Sequence, residues 1–288
     1  MLTALVVFAS TLAAFQDAPP AAAPTVAAPA PTAQTSDQVV AYLKEAEAQL
    51  YDPQAAGLRS LEFDLPVDVP MQGPLGVVHV TWIAGGQASL DVKMAEGVSL
   101  EGFPPGYAEQ MAQQNAAEFL NTMLNRPISM LLDGGVATIV GSEAGLVMVD
   151  LDAPEARAAG IEQQSYYFDD NNLLRRSVTV AKMMGTKVTA KQDFGWRPAT
   201  EDSPLLVSDS QSIEADMGFM VQKIDVAFTY SVIDGIVLTS SIEKITEIPA
   251  MAGGGTQRQL LTAANMVVNG KPAPMVPAAG ETTPPAGG

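Results

Sequence analysis

The chain has no cysteine. That absence removes disulfides, thiolate metal sites, a cysteine nucleophile and the lipid-modified cysteine that anchors a bacterial lipoprotein. There is one histidine, His79, so a histidine-rich metal centre cannot be built and a Ser-His-Asp triad would have this residue as its only base. Cations are scarce too: Lys and Arg total 15 against 32 Asp and Glu, for a formal net charge of −17. Phosphate neutralisation needs clustered Lys and Arg, so no nucleic-acid partner is expected, and electrostatic docking to anionic lipid is disfavoured. Beyond the N-terminal segment no apolar run reaches the roughly 18 residues of a membrane-spanning helix. The fingerprints GxSxG, HExxH, P-loop and Rossmann are missing as well.

What is present begins with an apolar run at residues 2–14 that closes on Ala13 and Ala14. It is too short to span a bilayer and has the length of a signal-peptide core, so residues 1–17 read as a cleaved signal peptide. No Lys or Arg precedes Lys44, which leaves only the amino terminus as the positive flank. The expected location is periplasmic or secreted, with no stable membrane span once the signal is removed. Residues 18–36 consist almost entirely of Ala, Pro and Thr, and residues 272–288 are mostly Pro, Ala, Gly and Thr. Such segments cannot bury enough apolar surface to offset chain entropy, so both are expected to be disordered. The folded domain is therefore placed at residues 37–271.

Within it, residues 37–51 read as a helix capped by Ser36 or Asp37, with Val39, Val40, Leu43, Ala46 and Leu50 at helical spacing. A strand with clean alternation follows: Leu61, Phe63, Leu65, Val67 and Val69 face one way, the intervening residues the other. Pro66 and Pro70 lack backbone donors, so this strand is expected to sit at a sheet edge or to fray there. Residues 76–83 and 87–95 form a hairpin around Gly85-Gly86, with Val78, Val80, Trp82, Leu90, Val92 and Met94 on one apolar face. Residues 104–125 form a second helix striped by Ala108, Met111, Ala116, Phe119, Leu120 and Met123. Five strands are read between residues 136 and 196, with a tight turn at residues 169–172. Strands at 218–232 and 236–248 are joined by Asp234-Gly235, and a last one covers 259–268. The fold class is mainly β with two or three helices, α+β, in about ten strands. The expected form is one large curved antiparallel sheet, an unclosed barrel, with the helices covering its concave face.

Chemistry is sparse. His79 falls on the face opposite Val78, Val80 and Trp82, the outer one. Asp150 and Asp152 share a strand face, as do Glu62 and Asp64, but no calcium-loop pattern accompanies them. Arg175-Arg176 is the densest positive point; neighbours on a strand face opposite sides, so an inward arginine would need a partner. Methionine is abundant, with 14 in the chain, and flexible thioethers fill both cores and apolar pockets.

Three stretches carry a family likeness. Residues 167–176 (YFDDNNLLRR), 230–238 around Asp234-Gly235, and 267–271 (VVNGK) resemble hairpins and a C-terminal strand of the periplasmic outer-membrane lipoprotein carriers (LolA/LolB-like) and related lipid-binding proteins. The resemblance implies an unclosed barrel with an apolar cavity lidded by helices, acyl chains as ligands, and residues 104–125 as the lid.

The leading expectation is an exported, non-catalytic protein that takes an apolar ligand, a lipid or lipidated protein, in a half-open barrel. Its expected lining is Phe63, Val80, Trp82, Leu90, Phe119, Met123, Phe228 and Tyr230, the residues that would also fill a plain core. No catalytic residue, metal or cofactor is implied. The alternative is an envelope structural or interaction module with a filled core and no ligand. A carboxylate-dependent hydrolase is the third. The oligomeric state is open at this level.

Overall fold

The structure, a computed structural model, describes residues 37–69, 73–96, 106–124, 135–153, 157, 160–183, 186–249 and 254–273. The expected signal peptide and the 18–36 linker lie outside the described residues, as do Pro70, Pro104 and Pro105. At the C-terminal end the ordered pairing runs past residue 271, because the Ala273 N–H donates to the Met266 carbonyl at 2.7 Å.

The first helix, α1 (Asp37–Glu47), has Asp37 in its first turn and Lys44 in its last, both complementary to the helix dipole, and buries Val39, Leu43 and Ala46. The first sheet combines β1 (Ser60–Val69), β2 (Gly73–Ile83) and β3 (Ser89–Met94) with the C-terminal β13 (Ala264–Val268) and β14 (Lys271–Pro272), in the order β14-β13-β1-β2-β3. The second helix, α2 (Tyr107–Leu124), follows β3. A nine-stranded sheet then runs as an uninterrupted meander: β4 (Val136–Glu143), β5 (Leu146–Asp152), β6 (Ile161–Phe168), β7 (Leu174–Met183), β8 (Thr186–Pro198), β9 (Leu206–Asp216), β10 (Val221–Ile233), β11 (Ile236–Ile248) and β12 (Gly255–Thr262). Every strand pair is antiparallel.

The mainly β, α+β reading holds, with two sheets where one was expected. The reason is Ala263. The stretch read as one strand over 259–268 is β12 and β13, which belong to different sheets. At the break, the Ala263 N–H donates to the Ser240 carbonyl at 2.9 Å, so the chain turns a corner without losing that bond. Strand β9 is a second correction, because residues 206–216 carried no strand expectation. In its sequence LVSDSQSIEAD, Asp209 and Gln211 interrupt the face that carries Val207, Ile213 and Ala215, and the strand is held between β8 and β10.

Strand β1 is a third correction, since it lies between β13 and β2 and not at an edge. The proline argument survives locally. Strand β13 accompanies β1 only from Leu61 to Asp64, so Pro66 falls where that side of β1 has no neighbour among the described residues. Bulges in β4–β5, β6–β7, β8–β9 and β10–β11 add twist to the large sheet and bend it. Gly76 has a separate job. A β-carbon there would collide with the Lys93 carbonyl, so only glycine lets β2 and β3 approach this closely.

Two helices cover two halves of the nine-stranded sheet. Helix α1 lies over its early strands, packing Val39 and Leu43 with Val149, Tyr166, Phe168 and Leu174. Helix α2 lies between the first sheet and the late strands. Its Ala112, Ala116, Phe119 and Met123 share a cluster with Phe63, Val80 and Trp82 on one side and Val226, Phe228 and Ile242 on the other.

Candidate functional site

The alternation of β1 sends Leu61, Phe63, Leu65 and Val67 inward, all fully buried, and β2 sends Val78, Val80 and Trp82 to meet them. On the late strands, Ile224, Val226 and Phe228 alternate inward along β10. The eight expected lining residues all fall in this one cluster. Phe63, Val80, Trp82, Phe119, Met123 and Phe228 are buried, while Leu90 and Tyr230 are half-buried against it. The Phe63 and Phe119 rings tilt against each other with centroids 5.6 Å apart. Two of the eight, Phe119 and Met123, belong to α2 itself, which stands among the other six.

From Met111 to Leu124 the buried positions are all apolar, while Gln113, Gln114, Asn115, Glu118 and Asn121 are half-buried. Ala112 and Ala116 bring the helix close to its neighbours, and Phe119, Leu120, Met123 and Leu124 fill the remaining space. Among the described residues no backbone hydrogen bond joins α2 to a strand. One ion pair does: Lys244 Nζ donates to Glu118 Oε1 at 2.7 Å.

Neither member of that pair was singled out from the sequence. On β11, Lys244 has the parity of Ile242, which is buried in the apolar cluster. Lys244 is the only buried residue with a charged side chain among the described residues, and Glu118 Oε2 is buried with no hydrogen-bond partner. A buried charge of this kind persists only when it is paired.

The other expected chemistry resolves into ordinary pairing. His79 sits on the outer face across from Asp64, with Nδ1 2.8 Å from Asp64 Oδ1. Thr81 Oγ1 is 3.5 Å from Nε2, so the three make an Asp-His-Thr row on a flat, half-exposed sheet surface. The Asp64 carboxyl is held below the usual carboxylate range, chiefly by the Asn265 amide and then by His79. Arg175 pairs with Asp169, and Arg176 with Asp193. Asp152 pairs with Arg157, and Asp150 accepts from Ser165. Tyr230 donates to the Ser208 carbonyl at 2.6 Å beneath the Arg197 guanidinium, and burial pushes its pKa up to about 12. Among the described residues no group of three or more His, Asp or Glu could hold a metal ion. No helix there is long and apolar enough to cross a membrane.

A surface cleft of about 480 Å³ lies elsewhere, where the chain leaves α1, between Leu50, Tyr51 and Leu205. Glu47 and Asp52 stand among its walls, and the Tyr51 hydroxyl is already engaged, accepting from the Val237 N–H at 2.9 Å. None of the eight expected residues lines it. Two carboxylates at an open apolar floor are a poor match for an acyl chain, so the α2 cluster is the better candidate site.

No protein-family model matches the chain, and no curated protein matches it. Among solved structures it is similar to one described as the crystal structure of MucB in complex with MucA(peri). That match has 9% sequence identity and a TM-score of 0.21, covering 81% of this chain and 95% of the other. A likeness of this size carries no argument about function.

Proposed function

We propose that this chain is an exported, non-catalytic carrier of an apolar ligand, an acyl chain of a lipid or lipidated protein. The ligand takes the space between the two sheets that α2 occupies in the structure. The supporting observation is the packing of α2: a polar-studded helix with six residues buried and eight half-buried from Met111 to Leu124, packed through side chains and paired through Glu118 to Lys244 of β11. A helix so attached can leave without breaking any sheet. The surface it would vacate, with Phe63, Val80, Trp82, Phe228 and Ile242 on it, is apolar on both walls and suits a hydrocarbon chain. The apolar N-terminal run supports export.

The envelope-module reading is the competitor. It is favoured by the completeness of the packing, with Phe63, Val80 and Phe119 fully buried, since a filled core needs no ligand. The two separate in one experiment. Protein purified from its host is extracted and its lipids identified by mass spectrometry, and delipidated protein is titrated with the neutral fluorophore N-phenyl-1-naphthylamine. Carriage predicts co-purifying acyl lipid at near one per chain and saturable fluorophore binding. A lipid-free protein that leaves the fluorophore dark is the filled module, and the carrier reading fails.

A further inference from the structure

We infer that the ligand carries an anionic head group, a carboxylate or phosphate, and that Lys244 receives it in the position Glu118 now holds. The inference rests on the carrier reading and adds the chemistry of one end of the ligand.

It starts from what happens to Lys244 when α2 moves. The ammonium has 11% side-chain exposure and one carboxylate partner, Glu118, which belongs to the moving helix. When α2 withdraws, that partner goes with it. Lys244 is then left on the wall of an apolar groove, flanked across the sheet by Val226 on one side and Gln259 on the other. Removing one member of a buried ion pair and leaving the other uncompensated is strongly unfavourable. A neutral hydrocarbon would displace the helix and inherit that cost. A chain ending in an anion restores the pair and avoids it, with a charge-assisted hydrogen bond of the same kind.

The inward face of the late strands is graded in a way that gives the ligand a direction. Along β11, Leu238 and Ile242 are apolar, then Lys244 and Thr246 are polar, and all four are buried. Along β10, Phe228, Val226 and Ile224 are followed by the buried Gln222. The register pairs Phe228 with Ile242, Val226 with Lys244 and Ile224 with Thr246. The polar side chains Lys244, Thr246 and Gln222 thus collect toward one end of both strands, with Thr239 the one buried polar residue of β11 toward the other. A single-chain amphiphile laid along this face puts its tail by Phe228 and Leu238 and its head by Lys244, within the same polar end as Thr246 and Gln222. Glu243 is not a rival for the lysine, because it faces the other side of β11 and is paired with Arg258.

The test compares two ligands with the same chain. Delipidated full-length protein is titrated with oleate and with oleyl alcohol, and each is scored by displacement of N-phenyl-1-naphthylamine. Oleyl phosphate forms a third arm that separates phosphate from carboxylate preference. The expected result is that the anions bind at least about tenfold more tightly than the alcohol. Lys244→Met is expected to bring all three within about twofold, Lys244→Arg to keep the preference, and Glu118→Gln to tighten oleate binding by weakening the internal competitor. Equal binding of oleate and oleyl alcohol to the unmodified protein overturns this inference and leaves carriage intact, a comparison that needs no variant to fold. A preference that persists in Lys244→Met overturns the role of Lys244. Binding of no oleyl compound sinks the carrier reading along with it.

Discussion

The two helices cover the same nine-stranded sheet and are fastened to it in opposite ways. Helix α1 and the turn after it are stitched down by main chain and polar clips. The Tyr51 N–H donates to the Leu206 carbonyl and the Leu206 N–H to the Gln49 carbonyl, each at 2.8 Å, around a parallel bridge between Leu50 and Leu206. Gln49 donates to the Asn171 carbonyl, Asn172 reaches Glu45, and the Val237 N–H donates to the Tyr51 hydroxyl. Helix α2 buries more of its length, and along its buried stretch from Met111 to Leu124 it is held by side-chain packing and the Glu118–Lys244 pair. Burial and attachment are therefore different properties. Apolar contacts are non-directional and another apolar body can replace them, whereas a network of directed hydrogen bonds is lost outright when its partner leaves.

The largest expected effect tests whether the α2 core is the main source of stability. Phe63→Ala removes a fully buried ring in contact with Phe119 and should cost about 3–5 kcal/mol in denaturant unfolding. A loss under about 1 kcal/mol would mean that the space beneath α2 collapses easily and that the contrast between the halves is overstated. Next comes Tyr51→Phe, which orphans the buried Val237 N–H on the α1 side and should cost about 1–3 kcal/mol. A neutral outcome would remove the best of the polar clips from the account.

A third expectation concerns motion. Amides of α2 should exchange with solvent at least about tenfold faster than those of α1, through an opening that leaves the sheets intact. Equal protection would break the comparison, and with it the displaceable helix.

The smallest effect is acid sensitivity, and it touches both halves. Asp64 lies in the first sheet. Asp169 lies in the β6–β7 turn beneath α1; burial pushes its carboxyl up, but the Leu173 N–H, Arg175 and the Asn171 N–H together bring it below its ordinary value. A carboxyl whose pKa falls on folding contributes stability in full above its unfolded value, 3.8, and loses it as pH drops through the lower folded value. Melting temperature should therefore fall below about pH 4, and Asp64→Asn with Asp169→Asn should flatten that fall. An unchanged acid limb in the double variant would contradict the assignment.

Where the sequence was legible, strong alternation made it so. In β1 and β10 the apolar residues keep period two for most of the strand, and the structure buries those faces. The Asp234-Gly235 turn was equally plain, because both residues have positive φ, at 53° and 80°, as a type I′ hairpin requires. Strand β9 was illegible because Asp209 and Gln211 break the apolar alternation of Val207, Ile213 and Ala215. The break at Ala263 was illegible because a corner between sheets costs only one residue and leaves the alternation on either side undisturbed. The eight lining residues came together because inward apolar positions are what periodicity reports. Lys244 escaped for the complementary reason: an inward charge makes sense only once its partner, distant in sequence on a helix, is seen beside it.

The corner at Ala263 also sets an order of events. Strand β13 pairs with β1, and the Asn269 side chain accepts from the N–H groups of Arg59 and Ser60, some two hundred residues earlier in the chain. Closing so long a loop is slow compared with zipping the meander between β4 and β12 hairpin by hairpin. While the chain folds, β1 waits beside β2 without its other neighbour until β13 reaches it. The large sheet can be complete while the wall opposite it is unfinished, and the interior between them is the last part of the molecule to close.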